Sequence, residues 1–292
     1  MSTVMQFLEA TFTPLVFIFT VANLFNLGLQ VKLPDLIVGL KNKKAIVLIF
    51  VWSWVVGPAL AYLIAWVLAL DEPYVIGLLL SSLAPVTAFL PLMVEKARGD
   101  MNFAGVLVPV AMVGIVIFMP LLTPLMVKGV TISAWSIAKP LLLTVFLPLI
   151  IGAAIRHYAE LVATKILPAV IVIAKITTVA AGVCGVVVFA RPMLDTVGSR
   201  ALLSVMLFMV VAALISYLVG FGLKQSQRSV MSLGMLTRNS GPALIAALEI
   251  PNRDTHIITL IVLLNLGGFV LAPAAAGIFG KQAGKAVAGD TT

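Results

Sequence analysis

Charge is scarce in this chain: Asp, Glu, Lys and Arg together make up 10% of 292 residues, against 62% hydrophobic ones. A water-soluble domain of this length needs charged side chains over its whole surface, commonly about a quarter of all residues, so that class is excluded. A single cysteine, Cys184, excludes a disulfide framework within the chain. Its position inside an apolar run reads as a small buried hydrophobe. The two histidines, His157 and His256, fall at the ends of apolar runs, and no acidic residue lies in the middle of one. The paired carboxylates, metal clusters and nucleophile–base pairs that an intramembrane enzyme needs are therefore missing, and no cofactor is expected. No Lys or Arg precedes Lys32, and no small-residue cleavage site follows the first apolar run, which reads as a retained spanning helix.

What the chain has in abundance is apolar runs of membrane-spanning length, with a mean hydropathy of +1.18. Nine spans are expected, at roughly 11–31, 45–70, 74–94, 103–127, 138–155, 166–190, 201–223, 229–249 and 256–280. The intervening loops are short and hold nearly all the charge. The fold class is therefore an all-α polytopic membrane protein. Residues 1–292 form one transmembrane domain, in which 11–127 and 138–280 are two repeats of four and five spans and 281–292 is a tail.

The net charge of +8 would suggest nucleic acid in a soluble protein, but the basic residues sit in clusters between apolar runs. That distribution sets membrane topology, so the expected partner is a lipid bilayer and not nucleic acid. Twelve Lys and Arg residues fall on one side (Lys32, Lys41, Lys43, Lys44, Lys96, Arg98, Arg156, Lys165, Lys224, Arg228, Lys281 and Lys285) and five on the other (Lys128, Lys139, Arg191, Arg200 and Arg253). The positive-inside rule makes the richer side cytoplasmic, with the N-terminus outside and the C-terminus inside, in the inner (plasma) membrane of a bacterial cell. An odd number of spans agrees with that orientation. Nothing in the composition speaks against a monomer.

Two spans carry helix breakers at their centres. The third contains Pro85 and Pro91 with Thr87 and Ala88 between them, after Ser81 and Ser82; the eighth contains Arg238, Asn239, Ser240, Gly241 and Pro242. The two spans enter from opposite sides, which is the pointer to inverted repeats whose discontinuous helices meet at the midplane. A broken helix exposes unpaired N–H and C=O groups that hydrocarbon cannot satisfy, so the breaks should surround a wet cavity or a ligand. Pro91 and Pro242 suit the first turn of a second half-helix, and such helix starts favour anions.

Arg238 and Lys175 are the two basic residues near the middle of a span, and no carboxylate lies at comparable depth. A charge there normally faces a pathway or a partner. Arg238 is the leading candidate to bind a carboxylate or other oxyanion of the solute, the alternative being donation to carbonyls of the broken helices. Lys175 either assists it or snorkels along its helix. Asn239, Ser240, Thr87, Ser82, Asn23, Asn26 and Asn265 are the expected hydrogen-bonding groups, Asn23 and Asn26 from the first span and Asn265 from the last. Glu95 with Asp100 reads as a solvated loop pair.

Several short stretches occur together in order: Gly28-Leu29 with Leu33-Pro34-Asp35, Ala97-Arg98-Gly99-Asp100, Leu121-Leu122-Thr123-Pro124, Leu147-Pro148-Leu149 with Gly152, and Gly234-Met235 followed by Asn239-Ser240-Gly241. On these the chain resembles the bile acid:sodium symporter family over essentially its whole length. The resemblance implies a panel domain of spans 1, 5 and 6, a core domain of spans 2–4 and 7–9, and solute binding between them beside two crossing discontinuous helices. It also implies a first helix fewer than in ten-span members. Sodium-coupled members use a membrane-embedded glutamate, a glutamine and hydroxyl or amide groups. Here Ser232, Gly234, Leu236 and Arg238 flank the second break, and Leu90-Pro91 replaces a Ser-Asn pair at the first. The expectation is an alternating-access carrier for a small organic anion without sodium coupling, with sodium-coupled symport as the alternative and a channel or sensor as a third class.

Overall fold

A computed structural model describes residues 3–127, 133–251 and 253–289, so Lys128 lies outside the described residues, as does the side chain of Lys285. Apart from one isolated bridge, the described residues are helix and connecting turns, with no strand among them. The long helices are α1 (Thr3–Gln30), α3 (Lys43–Val67), α6 (Met101–Met126), α7 (Ala134–Tyr158), α8 (Glu160–Val188), α10 (Arg200–Leu218) and α13 (Thr255–Gly289). These seven are long and apolar enough to cross a membrane. Between them lie α2 (Leu33–Leu40) and α9 (Ala190–Asp195), two short helices that the apolar-run pattern does not reveal. The remaining four are α4 (Glu72–Leu83), α5 (Leu90–Lys96), α11 (Gln225–Leu236) and α12 (Ser240–Leu248), which pair into two interrupted segments.

Local chemistry explains where the helices begin. Asn42 accepts from the Ala45 N–H at 3.1 Å to start α3, and Asp100 accepts from the Phe103 N–H at 3.0 Å to start α6. Asp100 also accepts from Gln227 at 3.1 Å, so it is a structural anchor between α6 and α11 and not merely one half of a solvated pair with Glu95. Proline shapes the interiors. In α3 and α7 the residues before Pro58 and Pro148 adopt π-helical turns, at Val51–Val56 and Leu142–Phe146. A wider turn relieves the clash between a proline ring and the preceding carbonyls, and it accommodates the missing N–H. Pro109, Pro120 and Pro124 by contrast lie within the continuous α6.

Two regions of the last helix and the first depart from the expected spans. The first helix begins near the start of the chain, at Thr3, and α13 runs on through the expected tail to Gly289. Hydropathy falls at Lys281, but no proline follows before Gly289, so a helix already nucleated in the apolar segment continues beyond the apolar run.

Packing sorts the helices. α1 lies along α7 and α8, which also touch each other. A Cβ on Gly152 would sit 2.6 Å from the Phe25 carbonyl, and one on Gly28 would meet the Leu149 carbonyl, so the α1 and α7 backbones are nearly in contact. Close approach through small residues is how helices associate where lipid removes the hydrophobic drive. α4 packs on α13, and α10 on α11. α12 reaches from this second group onto α1 and the start of α7. α8 keeps most of its surface outward, with Val172, Ile173, Ile176, Val179 and Val183 all exposed. An apolar exterior of this kind suits lipid and not water.

Candidate functional site

The two interrupted segments meet. After Leu83, the backbone leaves helical geometry until Leu90, and after Leu236 it is extended through Thr237 and Asn239. Pro85 and Arg238 form an antiparallel bridge between them. Val86 N–H donates to the Thr237 carbonyl at 3.0 Å, and Asn239 N–H donates to the Ala84 carbonyl at 2.9 Å. Each break thus supplies the hydrogen-bond partners that the other lost, which answers the accounting problem a non-helical backbone poses away from water. Val86 has φ = 63°, a left-handed conformation uncommon for a β-branched residue, and its N–H is held by the Thr237 carbonyl of the bridge. Pro91 and Pro242 both fall in the first turn of the second half-helices, where no N–H is needed.

Beside this bridge lies a cavity of about 50 Å³. The first break contributes Thr87, Ala88 and Phe89, and the second contributes Asn239 and Ser240, the residues at which α12 begins. α1 contributes Phe19, Thr20, Asn23 and Leu24; α8 contributes Thr178; α13 contributes Asn265 and Phe269. The spacing on α1 places its four residues on one face. Asn23 donates to Thr178 at 2.7 Å and to the Phe19 carbonyl at 2.8 Å, linking α1 to α8 across the wall. Thr87 Oγ1 is buried and has no hydrogen-bond partner among the described residues. Asn239 does not use its side chain to cap α12 and instead approaches the Met112 sulfur at 3.3 Å. A smaller cavity, about 30 Å³, shares Phe19, Thr178, Ser240 and Asn265 with the first and continues along α1 past Val16 to Phe12.

The lining holds amide, hydroxyl and aromatic groups and no charged side chain. Six of the ten side chains singled out from the sequence meet there: Asn23, Thr87, Ala88, Asn239, Ser240 and Asn265. Four do not. Ser82 is fully buried and donates to the Leu79 carbonyl of its own helix at 2.6 Å. Asn26 accepts from Gln30 at 3.0 Å, one turn further along α1. Lys175 is exposed on α8 and lines no part of the cavity. Of the two readings open for it, snorkelling along the helix surface is the one its position favours.

Arg238 is the fourth, and its backbone and side chain separate. The backbone is at the bridge, but the guanidinium turns to the other side: Nη1 donates to the Ser82 carbonyl at 3.3 Å, and the group lies 4.7 Å from the centre of the Phe208 ring of α10. The residue is 2% exposed, and its Nε and Nη2 have no hydrogen-bond partner among the described residues. The carbonyl contact weighed as the alternative for this residue is present.

Residues that sequence reasoning missed are Phe19, Thr20, Leu24, Thr178, Phe89 and Phe269. Thr20, Asn23 and Phe19 are close in sequence, so a polar stripe on α1 gave some signal. Thr178 and the aromatic residues gave none, because threonine and phenylalanine are ordinary constituents of spanning helices.

Comparison with known proteins adds two matches. The family described as "Sodium Bile acid symporter family" matches residues 17–196. A plant protein named "Probable sodium/metabolite cotransporter BASS3, chloroplastic", from Arabidopsis thaliana, is 23% identical over 156 residues. That alignment covers 53% of this chain and 36% of the relative, so the chain matches little more than a third of that protein's length.

Proposed function

The chain belongs to the sodium bile acid symporter family, a family of transporters and not of enzymes, and on that premise we propose that it carries a small organic anion across the bilayer by alternating access. The observation that carries the reading is the bridged pair of helix breaks beside a cavity of neutral hydrogen-bonding groups. The seven apolar helices and the two interrupted segments make nine spans arranged as inverted repeats, 11–127 and 138–280, within one transmembrane domain. α1, α7 and α8 form the panel; the remaining spanning elements form the core, with the solute held between them. The side rich in Lys and Arg faces the cytoplasm, so the N-terminus is outside.

An anion entering the cavity meets the start of α12, whose first N–H groups have no intrahelical acceptor, together with Asn239, Asn265, Thr87 and Thr178 as neutral donors. Arg238 acts from behind the bridge as a fixed positive charge, without touching the solute in this conformation. The aromatic residues Phe19, Phe89 and Phe269 supply the apolar walls that exclude water. Rocking of panel against core then exposes the cavity to one side and the other.

The anion moves without sodium in this reading, because a cation placed near the bridge is repelled by Arg238 and finds no carboxylate in the lining. A second reading, sodium-coupled symport, is favoured by the family and by the hydroxyl and amide oxygens around the cavity. Uptake of a panel of radiolabelled organic acids into proteoliposomes, with sodium or with potassium, separates the two. Saturable uptake that is equal in both salts and lost in Arg238→Met supports sodium-independent anion transport. Sodium-dependent uptake selects the second reading, and unchanged uptake by Arg238→Met removes the arginine from the mechanism.

A further inference from the structure

Away from the cavity, and sharing no lining residue with it, a groove of about 450 Å³ lies between the first turns of α3 and the turn that joins α10 to α11. Its walls are Val47, Leu48 and Val51 on α3 and Phe221 on the turn, with Lys43 and Lys44 at its mouth. Val47 and Phe221 are more than half exposed. Phe221 adopts φ = 43° and Gly222 φ = 78°, so two consecutive residues are left-handed. That conformation is unfavourable for a bulky side chain, yet it sets the Phe221 ring on the surface, 6.0 Å from the Trp52 ring, instead of in the interior.

Among the described residues no acidic side chain pairs with the charge at the mouth. Between Lys32 and Asp71 the only acidic residue is Asp35, against the four lysines Lys32, Lys41, Lys43 and Lys44. Among the described residues neither Lys43 nor Lys44 has an ion-pair partner, and Lys44 Nζ has only the Gly222 carbonyl, at 3.5 Å. The groove therefore combines a basic mouth with an apolar trough running one to two helical turns further along α3, and because α3 is long and apolar enough to span, its charged first turn belongs at a membrane surface.

We propose that this groove binds an anionic phospholipid, the phosphate held by Lys43 and Lys44 and one acyl chain lying along Val47, Val51 and Phe221. Charge complementarity selects the occupant: basic residues at a membrane surface attract anionic headgroups, whereas a zwitterionic lipid gains only the apolar contact. A lipid seated here spans α3 and the turn that leads into α11, the first half of the second interrupted segment.

The test uses the purified full chain in detergent, titrated with phosphatidylglycerol or phosphatidylcholine of identical acyl chains, with bound lipid counted by native mass spectrometry. Phosphatidylglycerol should bind more tightly by about fivefold per lysine engaged. The double variant Lys43→Gln/Lys44→Gln should lose that preference, and Lys43→Arg/Lys44→Arg should keep it. Lys96→Gln/Arg98→Gln, at another basic cluster, should also keep it. Phe221→Ala should weaken both lipids. Equal binding of the two lipids by the parent protein, or a preference that survives the double glutamine change, overturns the proposal. Loss of the preference in the 96/98 variant would reduce it to nonspecific charge, and full competition by glycerol phosphate would make it a phosphate site without an acyl groove; either result overturns it.

Discussion

Arg238 and Phe208 form a cation–π pair, the guanidinium carbon 4.7 Å from the ring centre. The pair ties the second helix break to α10, and two of the three guanidinium nitrogens have no acceptor among the described residues. The ring is therefore the main compensation for burying this charge, along with the single Ser82 carbonyl contact. Replacing Phe208 by Leu preserves most of the apolar volume but removes the ring face. That change should lower stability by about 2 kcal/mol, the upper range of a desolvated cation–π contact, and depress anion uptake. Thermal unfolding in detergent and uptake assays on the same preparation check both effects.

Thr178 is the point where α8 reaches the cavity, and it accepts from Asn23 at 2.7 Å. Thr178→Val is nearly isosteric, and Asn23 keeps the Phe19 carbonyl as an acceptor, so the helix packing should survive while the hydroxyl proposed to donate to the solute is lost. A loss of about 1 kcal/mol corresponds to roughly fivefold weaker apparent solute affinity. Transport kinetics should show the change in the half-saturation concentration, with the unfolding temperature almost unmoved.

Gly152 has no room for a methyl group, because its Cβ would lie 2.6 Å from the Phe25 carbonyl and 2.9 Å from the Leu29 nitrogen. Both obstacles are backbone atoms, which cannot step aside as a side chain can. Gly152→Ala should push α1 off α7 and cost about 1–3 kcal/mol, the usual range for overpacking. A lower unfolding temperature measures it; an unchanged one would mean that the helices slide apart freely.

Asp254 precedes α13 and accepts from the His256 backbone N–H at 2.8 Å, with the His256 ring at 2.7 Å from the same oxygen. The backbone hydrogen bond, followed by the ring's hydrogen bond and charge, holds the carboxyl below its ordinary value. A depressed folded-state value stabilises the fold above the unfolded-state value of about 3.9, and that contribution disappears as pH falls through the folded-state value. The unfolding temperature of the parent should therefore drop on acidification below about pH 4 by more than that of Asp254→Asn. Because the group is half exposed, the difference should be small.

The candidate site was legible to different degrees along the chain. The breaks at Pro85 and at Asn239–Pro242 could be read directly, because proline and glycine act on the local backbone whatever surrounds them. Asn23 and Asn265 could be picked out because an amide within an apolar run is conspicuous. Arg238 was recognised as exceptional from its depth, but which way its side chain turns depends on Phe208, thirty residues earlier, and on the Ser82 carbonyl in another segment. No pattern within the 234–242 stretch encodes either neighbour. Thr178 looked like any helix-packing threonine until α8 was laid beside α1.

Hydropathy alone determined that this chain lives in a bilayer as a bundle of helices, since apolar runs of spanning length leave no other environment able to accommodate them. Proline and glycine placement likewise determined where two of the helices stop and restart. The tertiary structure decided that these two interruptions face each other and share hydrogen bonds, that a cavity forms from α1, α8 and α13 around them, and that the buried arginine sits on the opposite side of the bridge. Those outcomes depend on contacts between residues far apart in the chain, and local composition carries no information about which distant surfaces meet.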